Sequence, residues 1–280
     1  MSIKSKIQAL IAAANTATGE SDTTLTDAVQ TLVDGYGQGG GSDADMIDLI
    51  EGDSVTLSIP SGTTKIKGNL FSSNTKLNSI TIPDTLTQIG GSAFSGCTNL
   101  TTINGGANVT SLGDYAMYNC QRLSFSTFPF PKVSSVPREA LRRCYALTDV
   151  IFPNTAATAL GQAALQECTG LTSITFRGFA TFAYQTCAGC TALKTIDIAA
   201  VKGSHTYYSP FLNCTALENF VVRSMPNGVP TIQSGWFSGT QIASGNGYIY
   251  VPDDKVDAVK AATNWSTYSA QIRALSEYTQ

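Results

Sequence analysis

Apolar residues recur along most of this chain with a period near 23, and that period dominates every shorter pattern. The cysteines mark it. Leaving Cys187 aside, Cys97, Cys120, Cys144, Cys168, Cys190 and Cys214 are separated by 23, 24, 24, 22 and 24 residues. Each is followed three positions later by leucine: Leu100, Leu123, Leu147, Leu171, Leu193 and Leu217. Six positions after the thiol stand Ile103, Val150, Ile174, Ile196 or Phe220, and eight after it Phe128, Phe152, Phe176, Ile198 or Val222. Upstream, Asn74 takes the cysteine place, with Leu77, Ile80 and Ile82 at the same offsets. The frame predicts about eight units between Ser54 and Pro252.

The end of each unit alternates apolar and polar positions, which reads as a short half-buried strand. Pro60, Pro83, Pro129, Pro153 and Pro252 follow it and stop it, because proline cannot donate to a ladder. A turn and a small helical or irregular return, carrying Ala93-Phe94, Ala140-Leu141 or Ala164-Leu165, completes the unit. A unit this small cannot bury its apolar side alone; stacked units share a continuous core. The fold class expected is therefore an α/β solenoid of about eight coils. Gly105 and Ser126 stand where strand apolar residues belong, so those two turns are expected to be irregular.

The stretch Ala93-Phe-Ser-Gly-Cys-Thr-Asn-Leu-Thr-Thr-Ile, with Leu77-Asn-Ser-Ile-Thr-Ile-Pro and Leu86-Thr-Gln-Ile-Gly, resembles the BspA-like class of leucine-rich repeats. The similarity spans residues 45–252. It implies a surface-exposed or secreted protein that binds host matrix or other cells.

The ends differ in character. Ile3, Ile7, Leu10 and Ile11 share one helical face, and Thr24 or Thr26 can cap a second helix carrying Ala28, Val29, Leu32 and Val33. Residues 1–34 are read as a small helical module and 35–44 as a glycine-rich linker. Residues 45–252 are the solenoid, and 253–280 a cap with a helix started by Asp253 or Asp254 and sealed by Trp265 and Tyr268. Leu25-Thr-Asp-Ala-Val-Gln-Thr-Leu-Val-Asp-Gly-Tyr-Gly resembles the N-terminal segments of phage tail-associated or minor structural proteins of gut bacteria. That resemblance implies attachment to a particle, or homo-oligomerisation through the N-terminal helices.

Composition narrows the function. Charged residues are 13% and the net charge is −3, with no basic block, which excludes a nucleic-acid binder. No signal peptide and no membrane span are read. A virion (phage tail) or extracellular location is expected, with a cell-surface protein or glycan as partner. Cys187-Ala-Gly-Cys190 has zinc or redox spacing, but the chain has one histidine, His205, and Cys187 takes the place held by Phe94 and Phe211. The thiols are read as a buried ladder, reduced, with disulfides geometrically open. No metal, no cofactor and no catalytic set are expected. The nearest approach to an enzyme is a carboxylate pair, Asp149 and Asp197. These lie two coils and two strand positions apart, about 12 Å between Cα atoms, too far for a glycosidase pair unless the side chains lean together.

The outward strand positions are read as Thr56 and Ser58, Ser79 and Thr81, Thr102 and Asn104, Phe125 and Thr127, Asp149 and Ile151, Ser173 and Thr175, Thr195 and Asp197, and Asn219 and Val221. Two aromatic loops, Phe176–Tyr184 and His205–Tyr208, add candidates, with Phe179 and Phe182 as buried staples. The binding residues expected are Arg177, Tyr184, Tyr207, Tyr208, Asp149 and Asp197, because tyrosine and arginine carry interface energy.

Overall fold

The computed structural model describes residues 55–59, 61–154, 157–201 and 208–279. The expected N-terminal helices and linker, with His205 and Tyr207, lie outside the described residues. What is described is a parallel β-solenoid of about nine turns, each contributing one rung to a shared core.

One side of the stack is a ladder formed by β1 (Val55–Ser58), β3 (Leu77–Ile82) and β5 (Thr102–Gly105). It resumes as β8 (Asp149–Phe152), β10 (Ser173–Phe182), β11 (Thr195–Val201), β12 (Asn219–Val222), β13 (Tyr248–Val251) and β14 (Ile272–Ala274). Every pairing is parallel, and the register follows the sequence period: Ile80 faces Ile103, and Ile174, Ile196, Phe220 and Ile249 stand in line. Alternation sets the inside: Leu77, Ile80 and Ile82 are buried while Thr81 is exposed. A second, shorter ladder lies round the corner in two stretches, β2 (Lys65–Ile66), β4 (Gln88–Ile89) and β6 (Ser111–Leu112), then β7 (Ser135–Val136) and β9 (Ala157–Leu160), with no strand pairing between β6 and β7. It continues in the second half of β10, which bends at Arg177 and Gly178 to serve both ladders.

The first ladder breaks in the fourth coil. There Phe125-Ser126-Thr127-Phe128 offers a single bridge, Thr127 to Ile151. Gly105 and Gly106 both take positive φ, +80° and +85°, and turn the backbone off the strand path. The interruption thus falls between Gly105, at the end of β5, and the coil that carries Ser126.

The returns are not helical, which corrects the α/β expectation. Each holds two left-handed residues four apart, such as Tyr115 (φ 59°) with Asn119 (57°) and Glu139 (53°) with Arg143 (62°). A left-handed residue every fourth position cannot continue an α-helix. Instead alternate N–H groups reach the next coil. Asn69, Phe71 and Ser73 donate to the carbonyls of Gly91, Ala93 and Ser95 at 2.9, 2.8 and 2.6 Å. Tyr115, Met117 and Asn119 donate likewise to Arg138, Ala140 and Arg142. The intervening N–H groups close short turns within their own coil, as Cys97 does on Phe94.

The repeat cysteines answer this one-way ladder from the other side. Each thiol donates backwards to a carbonyl of the preceding coil: Cys97 to Phe71 at 3.0 Å, Cys120 to Phe94 at 3.1 Å, Cys144 to Met117 at 3.3 Å and Cys168 to Leu141 at 3.1 Å. Cys190 reaches Leu165 and Cys214 reaches Cys187. A buried carbonyl has two lone pairs, and the thiol occupies the one left by the turn N–H. All seven cysteines are buried free thiols. Beside them the aromatic side chains stack from coil to coil, with Phe152 and Phe176 parallel at 5.0 Å.

The last coil is covered by the segment after Pro252. A 3-10 turn (Asp253–Lys255) leads into α1 (Val256–Ala261), the only α-helix among the described residues. Neither aspartate caps it. The Asp253 carboxylate accepts the Ser276 N–H at 3.1 Å, and Asp254 pairs with Lys255 at 2.7 Å. Trp265 is buried against Trp236 and donates its indole N–H to the Pro230 carbonyl at 2.7 Å. The buried Tyr268 ring packs edge-on against Phe237, with centroids 5.2 Å apart. No described helix is long and apolar enough to cross a membrane.

Candidate ligand-binding face

The outward side of the first ladder is its flattest exposed surface, and pairing places its side chains in two rows. One row reads Asp149, Ser173, Thr195, Asn219, Tyr248; the other reads Ile151, Thr175, Asp197, Val221, Tyr250, Arg273. Earlier in the stack the same face carries small hydroxyl residues, with Thr56 opposite Ser79 and Thr102, and a 3.3 Å hydrogen bond between the first two. The face therefore changes from bland and hydroxylated to aromatic and charged as the coils advance.

Asp149 and Asp197 are held separately. Asp149 accepts the hydroxyls of Thr172 and Ser173, both at 2.7 Å, and these bonds keep its carboxyl below the usual range. Asp197 sits in the other row and is gripped by Arg223 through Nε at 2.8 Å and Nη2 at 2.6 Å. That two-pronged geometry is the strong form of a guanidinium–carboxylate contact. Each carboxylate thus already has its own partners, in a different row and two coils away from the other.

Beyond Arg223 lies a tyrosine cluster. Tyr248 and Tyr250 alternate with the buried Ile249 and Val251, so both rings project outward, 6.1 Å apart. The Arg273 guanidinium lies 4.9 Å over the Tyr248 ring. Tyr278 follows the 3-10 turn Leu275–Glu277, packs on Tyr250 at 4.8 Å and lies near Thr195 and Asp197 of β11. Tyr278 reaches β11 and β13 on either side of β12, which explains why Val221, read as outward, is fully buried. Burial and the neighbouring Asp197 carboxylate push the Tyr278 phenol up.

The six residues read from the sequence do not form one site. Arg177 is exposed, but on β10 at the bend between ladders: residues 176–182 are strand rather than loop. Tyr184 and Tyr208, 42% and 55% exposed, stand in one column on adjacent returns, where earlier coils carry Asp114, Arg138 and Gln162. Tyr207 lies outside the described residues. Phe182 is buried and Phe179 half-buried. Arg223, Tyr248, Tyr250, Arg273 and Tyr278 were missed. The Tyr248-Ile-Tyr-Val alternation was a usable signal, but the run from Phe220 to Ile249 is 29 residues rather than about 23, so the period lost count there.

A second polar network covers the returns where the first ladder is broken. Arg142 bridges Glu139 and Glu167, both at 2.9 Å, and Arg143 reaches Glu167 at 2.6 Å and the Tyr118 hydroxyl at 3.2 Å. Tyr115 donates to Glu139 at 3.1 Å beneath Arg138, whose guanidinium lies 5.0 Å from its ring. Its charges pair internally, and it reads as a staple between coils three to five.

The described residues hold no grouping of three or more histidine, cysteine or acidic residues that could bind a metal ion. Burial pushes the Cys97 thiol up to about 12 and the Cys120, Cys144, Cys187 and Cys190 thiols well above the usual value. Protonated buried thiols are poor nucleophiles and poor ligands. Cys187 and Cys190 serve as core positions.

The chain is similar to a leucine-rich repeat protein of T. pallidum at 21% identity, over 54% of this chain and 72% of that one, with a TM-score of 0.47. It is similar to a leucine-rich repeat protein from Eubacterium ventriosum at 26% identity, over 66% of this chain and 42% of that one, with a TM-score of 0.43. A leucine rich cell surface protein from Faecalibacterium prausnitzii matches at 18% identity over 80% and 87% of the two chains, with a TM-score of 0.31. No curated protein matches the chain. The sequence model of the BspA type leucine rich repeat region (6 copies) matches residues 53–159 and 134–251. Strand, turn, inward thiol and period follow that repeat across most of the sequence: the chain belongs to the BspA-type leucine-rich repeat proteins.

Proposed function

We propose that this chain is a non-catalytic adhesion or recognition protein that works outside a cell or on a phage particle. It holds a cell-surface protein or glycan against the outward face of its first ladder. The observation that carries this reading is the gathering of Arg223, Asp197, Tyr248, Tyr250 and Arg273 on β11–β14. Tyrosine and arginine fixed on rigid strands bind with little loss of conformational freedom. The separation of Asp149 from Asp197, each engaged by its own partners, supports a binding rather than a hydrolytic role.

In this reading residues 1–34 attach or oligomerise the protein, 35–44 tether it, 45–252 present the face and 253–280 close the stack. The phage-tail version rests on the likeness of residues 25–37 to tail-associated proteins. Incubating the full chain with whole bacterial cells, followed by sedimentation, tests the reading. Retention is expected to fall at least tenfold in Arg223→Ala and to survive in Arg177→Ala. Absence of retention on any cell type tried would refute it. Deleting residues 1–40 should leave cell retention intact while abolishing oligomers or attachment to particles; unchanged assembly would defeat the anchor.

A further inference from the structure

The recognition face has a centre that points to one class of ligand. Its charges cancel: Arg223 and Arg273 stand with Asp197 and Glu277, and the first of these is bound two-pronged to Asp197. Its one strongly exposed ring is Tyr248, 39% accessible, stiffened by the guanidinium over it. The same face carries groups that offer and accept hydrogen bonds. Asn219 precedes it in the same row, Thr195 precedes Asn219, and Arg223 is 43% exposed with Nη1 taking no part in the pair with Asp197.

We propose that this face binds a neutral glycan, with Tyr248 as the platform for one sugar unit, Asn219 beside it and Arg223 further along the strands as hydrogen-bonding partners; this rests on the recognition role assigned above. A pyranose has one weakly polar face of C–H groups, which suits an aromatic ring, and a rim of hydroxyls that each donate and accept. A balanced set of planar amide, guanidinium and carboxylate groups meets such a rim without leaving a net charge uncompensated. A protein partner fits the same centre less well. The cores of protein interfaces are depleted of charged residues. Covering Asp197 and Arg223 with apolar side chains would strip their remaining water at a cost the pair does not recover. Sugar hydroxyls replace that water in kind. A nucleic acid or anionic lipid requires clustered positive charge, and here the guanidinium groups are balanced.

The test uses the full-length chain on an immobilised panel of neutral oligosaccharides built from glucose, galactose, mannose and N-acetylglucosamine. Any hit is followed by calorimetry. Binding to at least one series is expected, weakened at least tenfold by Tyr248→Ala and by Asn219→Ala. Tyr184→Ala, on the opposite returns, is expected to bind as the parent does. In parallel, whole bacterial cells are treated with periodate or with trypsin before sedimentation. Loss of retention after periodate but not after trypsin supports the inference. Retention abolished by trypsin, unmoved by periodate and insensitive to Tyr248→Ala overturns it while leaving the recognition role standing. Failure to bind both the panel and every cell overturns both. Circular dichroism and an unchanged melting temperature for Tyr248→Ala separate loss of contact from loss of fold.

Discussion

Replacing Gly105 by alanine isolates the term that ends the first stretch of ladder. A Cβ at Gly105 would stand 2.1 Å from the Ile82 carbonyl oxygen and 3.2 Å from its carbon, both backbone atoms of the adjacent coil. The residue also has φ +80°. Two costs therefore add. Holding an alanine in the left-handed region costs about 1–2 kcal/mol, and clearing a backbone overlap inside a close-packed stack costs about 1–3 kcal/mol more. Reduced freedom of the unfolded chain offsets about 0.4–1 kcal/mol. The net expectation is about 1–4.5 kcal/mol of destabilisation. Gly228 provides the control. Its φ is +84° and nothing lies within 4 Å of its Cβ position, so Gly228→Ala meets only the conformational cost and the offset, about 0–1.5 kcal/mol net. Urea unfolding followed by circular dichroism measures both. If Gly105→Ala and Gly228→Ala lower stability equally, the contact with Ile82 is not what demands glycine, and the argument fails.

Other expectations follow from the same geometry. All seven cysteines should resist iodoacetamide at pH 8 in the native chain and react in guanidinium, counted by mass spectrometry; even one modified native thiol would contradict their burial. Arg143 and Arg142 hold Glu167 below its usual 4.5, so its contribution is present above that value and lost as pH falls through the depressed one. Glu167→Gln should cost about 1 kcal/mol at pH 7 and much less at pH 3, read from parallel urea titrations.

The repeat was legible because its cause is local and repeated. A leucine three residues after each thiol and an alternating apolar tail leave one way to bury the pattern, and the register reproduces that spacing. The returns were not legible as extended ladders. Their left-handed places are filled by Asn, Ser, Tyr, Glu, Arg and Gln as well as Gly, so no residue type announces them; Glu139 and Arg143 take that conformation because the coil above supplies acceptors. At the candidate face, Asp149 and Asp197 were found by alternation alone. Arg223 lies just past the end of β12 and swings back to Asp197 in a neighbouring coil, which no linear pattern encodes. Tyr278 arrives from a separate turn, 83 residues beyond its neighbour Thr195. Contacts made across coils after an irregular insertion are a property of three-dimensional closure, and the period carries no trace of them.

The return ladder also gives the stack a direction. Coil after coil receives N–H groups on its carbonyls from the one below and hands its own to the one above. Along its return, therefore, a coil has two unlike sides, one presenting carbonyl acceptors to the coil below and the other N–H donors to the coil above. Whole coils can be spliced in or removed head to tail with each bond reinstated, which lets length change without redesigning the core. Two like ends can never zip together through this ladder, so the growing end stays chemically distinct from the first, and the segment carrying Tyr268 covers it.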